Sequence, residues 1–160
     1  MKELFEHLKR IDLSDARNLK LVDTCFYIDL FEHPENLDEY NGLPDEAMTS
    51  FNVLELINVE HRLHKRKHLI RKFLKRNDMI IVDIDVEPGD REREMEFIES
   101  VDKEILEYCQ DPSDAVLLAV AIKTHSSILT KDKHHLFNAA IENFLCKYNV
   151  KIYKELKDIV

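Results

Sequence analysis

Glycine and tryptophan are nearly missing from this chain, with two Gly and no Trp in 160 residues. Two glycines leave no room for a glycine-rich linker, and no low-complexity segment or internal repeat interrupts the sequence. The lack of Trp and the abundance of Lys, Glu and Ile match a heat-tolerant source. Cysteine is scarce too: Cys25, Cys109 and Cys146 are an odd number, widely spaced, with no C-x-x-C pair. This excludes a disulfide framework and predicts reduced, mostly buried thiols. The longest apolar run, Ala115 to Ile122, is eight residues, too short to span a bilayer, and the N-terminus has no secretory apolar region. A cytoplasmic protein without a membrane partner is expected. Positive charge is in deficit, at a net −9, which argues against a general nucleic-acid coat protein. The deficit is uneven: from His61 to Arg76 there are eight Lys and Arg and no acid, so that segment carries +8 and the rest −17. No Ser-His or Cys-His arrangement points to a protein nucleophile.

What is present is a soluble globular composition, 44% hydrophobic and 34% charged, long enough for one domain with a real core. Short β-rich runs alternate with long helical patterns, which predicts an α/β fold with a parallel sheet and helices on both faces. Residues 1–18 read as an N-terminal helix extension, with Leu4, Phe5, Leu8 and Ile11 at helical spacing, ahead of a domain over 19–160. Strands are expected at about Leu19 to Asp23, Met79 to Val82, Ser127 to Thr130 and Asn149 to Tyr153. His33 to Glu46, with Pro34, Gly42, Pro44 and many acids, reads as a surface loop. A helix capped near Thr49-Ser50 runs past Glu55 toward His61, and a basic helix ends near Arg76. One helix carries Met95, Ile98, Val101, Ile105 and Tyr108 on a single face. Asp111-Pro112 opens the next, with Asp at N-cap and Pro at N1, and a last helix covers about Lys133 to Lys147.

Four acids stand where such a fold gathers them. Asp23 and Asp132 lie just past strand ends, the edge where open α/β sheets place their sites. Asp114 opens an apolar helix, and helix starts share that edge in a parallel sheet. Each has a plainer role as well. Asp23 and Asp132 suit helix N-caps, the commoner role for either alone. Asp111 and Asp114 form a capping-box pattern, with Asp111 the cap and Asp114 either closing the box or projecting into a cleft. Glu55 is harder to explain away, since it lies on a helix between Phe51 and Val59 and beside Leu54 and Leu56. A desolvated acid needs compensation, from a metal or from a buried cation such as Arg62 on the same face. Clustered carboxylates suit Mg²⁺ or Mn²⁺, and phosphodiester hydrolysis by a metal-activated water is the chemistry that follows.

The segments L-V-D-T (21–24), T-S-F-N-V-L-E-L (49–56), D-P-S-D-A-V-L-L-A-V-A (111–121) and I-L-T-K-D (128–132) together resemble a PIN domain. The resemblance runs from about Leu19 to Tyr153. It implies a three-layer α/β/α sandwich with a mainly parallel sheet, and a Mg²⁺- or Mn²⁺-dependent ribonuclease. Asp23, Glu55, Asp114 and Asp132 would be its ligand acids, Thr130 its assisting hydroxyl, and Thr24 a residue orienting Asp23. The family includes the VapC-type toxins, so the implied partners are an RNA substrate, an antitoxin protein and a second copy of the chain. The N-terminal helix, the long acidic loop and the low overall charge depart from the family pattern.

The basic helix has an inward stripe of Leu63, Ile70, Phe73 and Leu74, so a solvated cationic face is its commoner reading. The functional reading has Arg62, Lys65, Arg66 and Arg71 holding RNA phosphates or docking an acidic partner. His61, His64 and His68 share that segment, but no Cys or acid accompanies them, which argues against zinc. The competing function is a catalytically silent PIN-like module that binds RNA or a protein. An aspartyl phosphatase would want a second acid two residues after Asp23, where Cys25 stands instead.

Overall fold

The computed structural model describes residues 1–40, 42–131 and 138–159. Among these, six strands, β1 (Lys9–Asp12), β2 (Lys20–Val22), β3 (Glu46–Thr49), β4 (Ile80–Asp83), β5 (Ser127–Leu129) and β6 (Ile152–Tyr153), form one sheet. Every pairing is parallel and the order is β1-β4-β3-β2-β5-β6. The helices are α1 (Lys2–Phe5), α2 (Thr24–Glu32), α3 (Pro34–Glu39), α4 (Ser50–Asn58), α5 (Glu60–Leu63), α6 (Lys67–Arg76), α7 (Arg91–Val101), α8 (Ile105–Tyr108), α9 (Pro112–Thr124) and α10 (Ala139–Cys146). This is a three-layer α/β/α sandwich.

Strand alternation divides the core in two. Leu21, Ala47, Val82 and Ile128 pack with residues of α7, α9 and α10, while Val22, Met48, Ile81 and Leu129 pack with α2, α4 and α6. Register keeps each set level: Leu21 is opposite both Ala47 and Ile128, and Val22 is opposite Leu129. Strands buried on both faces favour apolar residues, which is why β2, β4 and β5 are short, largely hydrophobic runs, while β3 places Glu46 and Thr49 at its two ends. The longest apolar run became the central part of α9, where every residue from Ala115 to Ile122 is buried. A helix apolar all round belongs in the interior. Its end shows how a chain with two glycines turns: His125 takes the left-handed conformation at φ 52°, a position glycine usually fills.

The strand order sets the site. From β2 the chain moves through β3 to β4 in one direction, then crosses back to β5 on the other side of β2. Between β2 and β5 the winding reverses, and such a switch point opens a crevice at the carboxyl ends of the strands.

Several expectations need correction. Residues 1–18 are not one helix: α1 is a single turn, and Lys9–Asp12 is a strand paired with β4 from Lys9 opposite Ile80 to Asp12 opposite Asp83. The helical spacing of Leu4, Phe5, Leu8 and Ile11 was coincidental. Leu4 and Phe5 are buried from the helix, whereas β1 is an edge strand with a largely exposed, charged face. The expected loop contains α3, with Pro34 at its first position, and ends in β3, whose four residues are all buried. The helix carrying Met95 to Tyr108 breaks at Asp102 into α7 and α8, and Met95 and Tyr108 are exposed. Cys146 is exposed rather than buried. Among the described residues no helix is long and apolar enough to cross a membrane.

Candidate active site

Asp23 follows the last residue of β2 and caps α2. Its backbone N–H donates to Leu129 O at 2.9 Å, tying the ends of β2 and β5 together. Its side chain is nearly enclosed: Oδ1 accepts from Thr24 N at 2.7 Å, and Oδ2 accepts from Thr130 Oγ1 at 2.9 Å and from Cys25 Sγ at 2.8 Å. Thr130, fully buried just past β5, therefore joins Asp23 across the switch point.

Glu55 reaches the same place from α4. Thr49 caps that helix, its Oγ1 accepting from Asn52 N at 3.0 Å, so the helix starts at the strand end and Glu55 falls on its second turn. Glu55 Oε2 accepts from Thr24 Oγ1 at 2.6 Å and from Asn52 Nδ2 at 3.0 Å. Burial is the strongest influence on its carboxyl and pushes it above the ordinary carboxylate range. The Thr24 hydroxyl opposes this, the charge of Asp23 adds to it, Asn52 opposes it, and the charge of Asp111 adds again. Two other acids are therefore close enough for their charge to be felt at Glu55.

Asp111 is the cap of α9, as expected, with Oδ1 accepting from Ser113 N at 2.9 Å and Asp114 N at 3.5 Å. That places Asp114 on the first turn of α9, half-buried, at the edge from which Asp111 acts on Glu55. Asp132 lies outside the described residues. Asp23, Thr24, Glu55 and Thr130 are thus brought into one hydrogen-bonded group, with the start of α9 beside it.

Cys25 contacts Asp23 Oδ2 and lies 3.3 Å from Thr130 Oγ1. Burial, and then the charge of Asp23, push its thiol up to about 12. A thiol so protonated is no nucleophile at neutral pH.

The cationic candidates do not join this group. Arg62 pairs with Glu32 at 2.8 Å, both exposed, so it does not compensate Glu55. The reason is local: α4 ends at Asn58 and a separate turn begins at Glu60, so one continuous helical wheel no longer relates the two residues. Arg71 lines a groove with the beginnings of β1, β3 and β4, at the opposite edge of the sheet. Lys65 and Arg66 lie in the 3-10 turn before α6. Ile70, Phe73 and Leu74 are buried beneath α6, as its inward stripe predicts. His61, His64 and His68 are exposed.

Asn52 joins this group through its hydrogen bonds to Thr24 and Glu55, and sequence reasoning passed over it. Three residues before Glu55, it shares that acid's helical face, which was the available signal.

The donors here are chiefly carboxylate and hydroxyl oxygens, a set suited to a hard divalent cation. Glu55 offers a specific fit, because both of its hydrogen bonds fall on Oε2 and Oε1 accepts none from the described residues. Among the described residues no group of three His, Cys, Asp or Glu side chains is arranged to hold a metal ion.

Fold and site together define an α/β domain that collects acids at its switch point. A family model described as PIN domain matches residues 20–141, and the chain belongs to that family, whose members are generally nucleases. The match begins at the first residue of β2, so α1 and β1 precede it. Comparison with curated proteins and with solved structures gave no match.

Proposed function

We propose that the protein is a divalent-cation-dependent endoribonuclease, with Asp23, Glu55, Asp114 and Asp132 as the acids that hold Mg²⁺ or Mn²⁺. The observation that carries this reading is Glu55: a desolvated carboxylate with two other acids acting on it and one oxygen that accepts no hydrogen bond among the described residues. Bringing carboxylates together against their repulsion is costly without a cation to offset it. The cation would acidify a water and offset charge developing on the phosphoryl oxygens.

The chain's own part is positioning. Thr130 and the Thr24 backbone hold Asp23 rigid at the strand end, and Thr24 passes that rigidity to Glu55. RNA as the substrate, a toxin role with an antitoxin partner, pairing with a second copy and a cytoplasmic location extend the same proposal. The basic segment around Lys65 and Arg66 is its candidate RNA contact, whereas Arg71, at the far edge, is better placed to solvate its helix.

A catalytically silent module is the second reading. One observation favours it: the oxygens of Asp23 already accept three hydrogen bonds from protein groups. The test is cleavage of a labelled single-stranded RNA pool with Mn²⁺ or Mg²⁺, comparing wild type with Asp23→Asn, alongside calorimetry of cation binding. Cleavage and binding that both vanish in the variant are the expected outcome. A wild type that neither cleaves nor binds cations would move the assignment to the silent module.

A further inference from the structure

Asn52 is 2% exposed and carries no charge, and its side-chain amide makes three hydrogen bonds at the site. Thr49 Oγ1 donates to Asn52 Oδ1 at 2.7 Å, which turns the amide so that its NH₂ faces the site. That NH₂ donates to Glu55 Oε2 and to Thr24 Oγ1, each at 3.0 Å. The Thr24 hydroxyl has one proton, and at 2.6 Å it goes to the same Oε2. Thr24 is enclosed as well, and so is Thr49. The amide therefore has a single workable orientation: one of its N–H groups steadies the Thr24 hydroxyl, and the other joins that hydroxyl in donating to one oxygen of Glu55.

The geometry points to Asn52 as a positioning and specificity residue that, with Thr24, keeps Glu55 a one-oxygen ligand and so favours Mg²⁺ or Mn²⁺ over Ca²⁺. The inference rests on the cation-site reading of Glu55. Oε2 accepts two donors, which would leave Oε1 to a cation. Mg²⁺ demands near-octahedral coordination at about 2.0–2.1 Å and takes single carboxylate oxygens readily. Ca²⁺ takes roughly 6–8 oxygens at about 2.3–2.6 Å and gains from carboxylates that offer both. A carboxylate locked at Oε2 withholds that second oxygen, so discrimination comes from the hydrogen-bond partners as much as from the ligand. Freeing Oε2 would let Glu55 swing to two-oxygen binding.

The experiment is calorimetric titration of the full chain with Mn²⁺, Mg²⁺ and Ca²⁺, for wild type, Asn52→Leu, Thr24→Val and Thr24→Ser. The Mn²⁺-to-Ca²⁺ affinity ratio should fall about tenfold in Asn52→Leu and Thr24→Val, a size typical of groups that support a metal ligand. Thr24→Ser retains the donor and should restore the wild-type ratio. Equal weakening of both cations, or an unchanged ratio, would overturn the inference, since a merely loosened fold has no reason to favour Ca²⁺.

Thr24→Val leaves Asn52 in place, so the ratio can be read even where Asn52→Leu folds poorly. A second readout uses no metal: carbon-13 side-chain couplings of Glu55 in the cation-free protein. One rotamer in wild type and averaging in Asn52→Leu or Thr24→Val support the positioning role; identical averaging in all of them sinks it. If wild type takes up no divalent cation, the nuclease reading and the discrimination both fall, and these couplings alone decide whether Asn52 positions Glu55.

Discussion

Glu46 and Glu55 serve the same face of the sheet from opposite edges, and they are bound in opposite ways. Glu46 heads β3 and is 1% exposed; Tyr27 OH donates to its Oε1 and Leu43 N to its Oε2 at 3.0 Å. Both oxygens are accounted for, and an aromatic group of Tyr27, Phe31, Tyr40 and Phe73 closes over that region. Burial, and then the charge of Glu46, push the Tyr27 hydroxyl well up, so it stays protonated as a donor. Glu55 is half-buried, and among the described residues both of its donors fall on one oxygen. A carboxylate satisfied on both sides is a structural tie. One satisfied on a single side keeps capacity for something from outside. Surface shape gives the reverse ranking: the groove of about 1260 Å³ lies at the Glu46 edge, with Arg71, Lys75 and Arg76 mixed among acids. Volume without converging chemistry does not make that edge the better site.

The widest break in this comparison comes from removing each acid. Glu55→Gln should lower cation-dependent RNA cleavage by at least about 100-fold, because even supporting groups of a metal site are worth about 10- to 100-fold. Its cation-free melting temperature should hold or rise, because a desolvated charge has gone. Glu46→Ala should behave oppositely. It takes the carboxylate acceptor from the Leu43 N–H and leaves the Tyr27 hydroxyl to the weaker Met79 sulfur at 3.1 Å, a loss of about 1–3 kcal/mol in all, while cation affinity of the folded protein stays put. Denaturant unfolding and calorimetry on both variants check the pair. Loss of cation binding in Glu46→Ala at a temperature where it remains folded would erase the distinction.

The same contrast explains what was legible in the sequence. β2, β4 and β5 are interior strands, and their apolar runs announced them. β1 was hidden because Lys9, Arg10 and Asp12 guard an edge, so its composition reads as surface. β3 was hidden because it begins with Glu46 and ends at Thr49, which caps the following helix. Asp23 could be placed from a strand end, Glu55 from its apolar neighbours, and Thr130 only from the family resemblance. Asn52 could not be weighted in that way, because its meaning comes from Thr24, on another helix and across a long loop of chain. Arg62 misled for the converse reason. A wheel drawn through Glu55 assumes an unbroken helix, and the break after Asn58 is invisible to periodicity.

A smaller effect sharpens the structural side of the comparison. Gly42 sits beside Glu46 with φ at +74°, and a Cβ there would lie 2.6 Å from Asn77 Oδ1. Asn77 is held in turn by its amide donating to Phe73 O at 2.9 Å, so it cannot yield freely. Gly42→Ala should therefore cost about 1–2 kcal/mol or somewhat more, from the left-handed backbone and the close contact together. Unfolding titrations measure it, and cation affinity should be untouched.

The smallest effect, on the order of a few degrees, concerns pH and tests the other side. The carboxyl of Glu55 is raised in the folded protein, mainly by burial, relative to the unfolded chain. Between the two values the folded state binds more protons than the unfolded state, so stability falls as pH rises through that window. Below the ordinary glutamate range the contribution is fully present; above the raised folded value it is gone. In chelator, the wild-type melting temperature should decline across the window more than that of Glu55→Gln, which has no such proton to lose. Adding Mn²⁺ should reverse the trend, because a cation competes with that proton and stabilises most where the carboxylate is ionised. Parallel curves for wild type and Glu55→Gln in chelator would mean that Glu55 is not held at a desolvation cost. A cation would then have nothing to relieve, and Glu55 would join Glu46 as a structural tie.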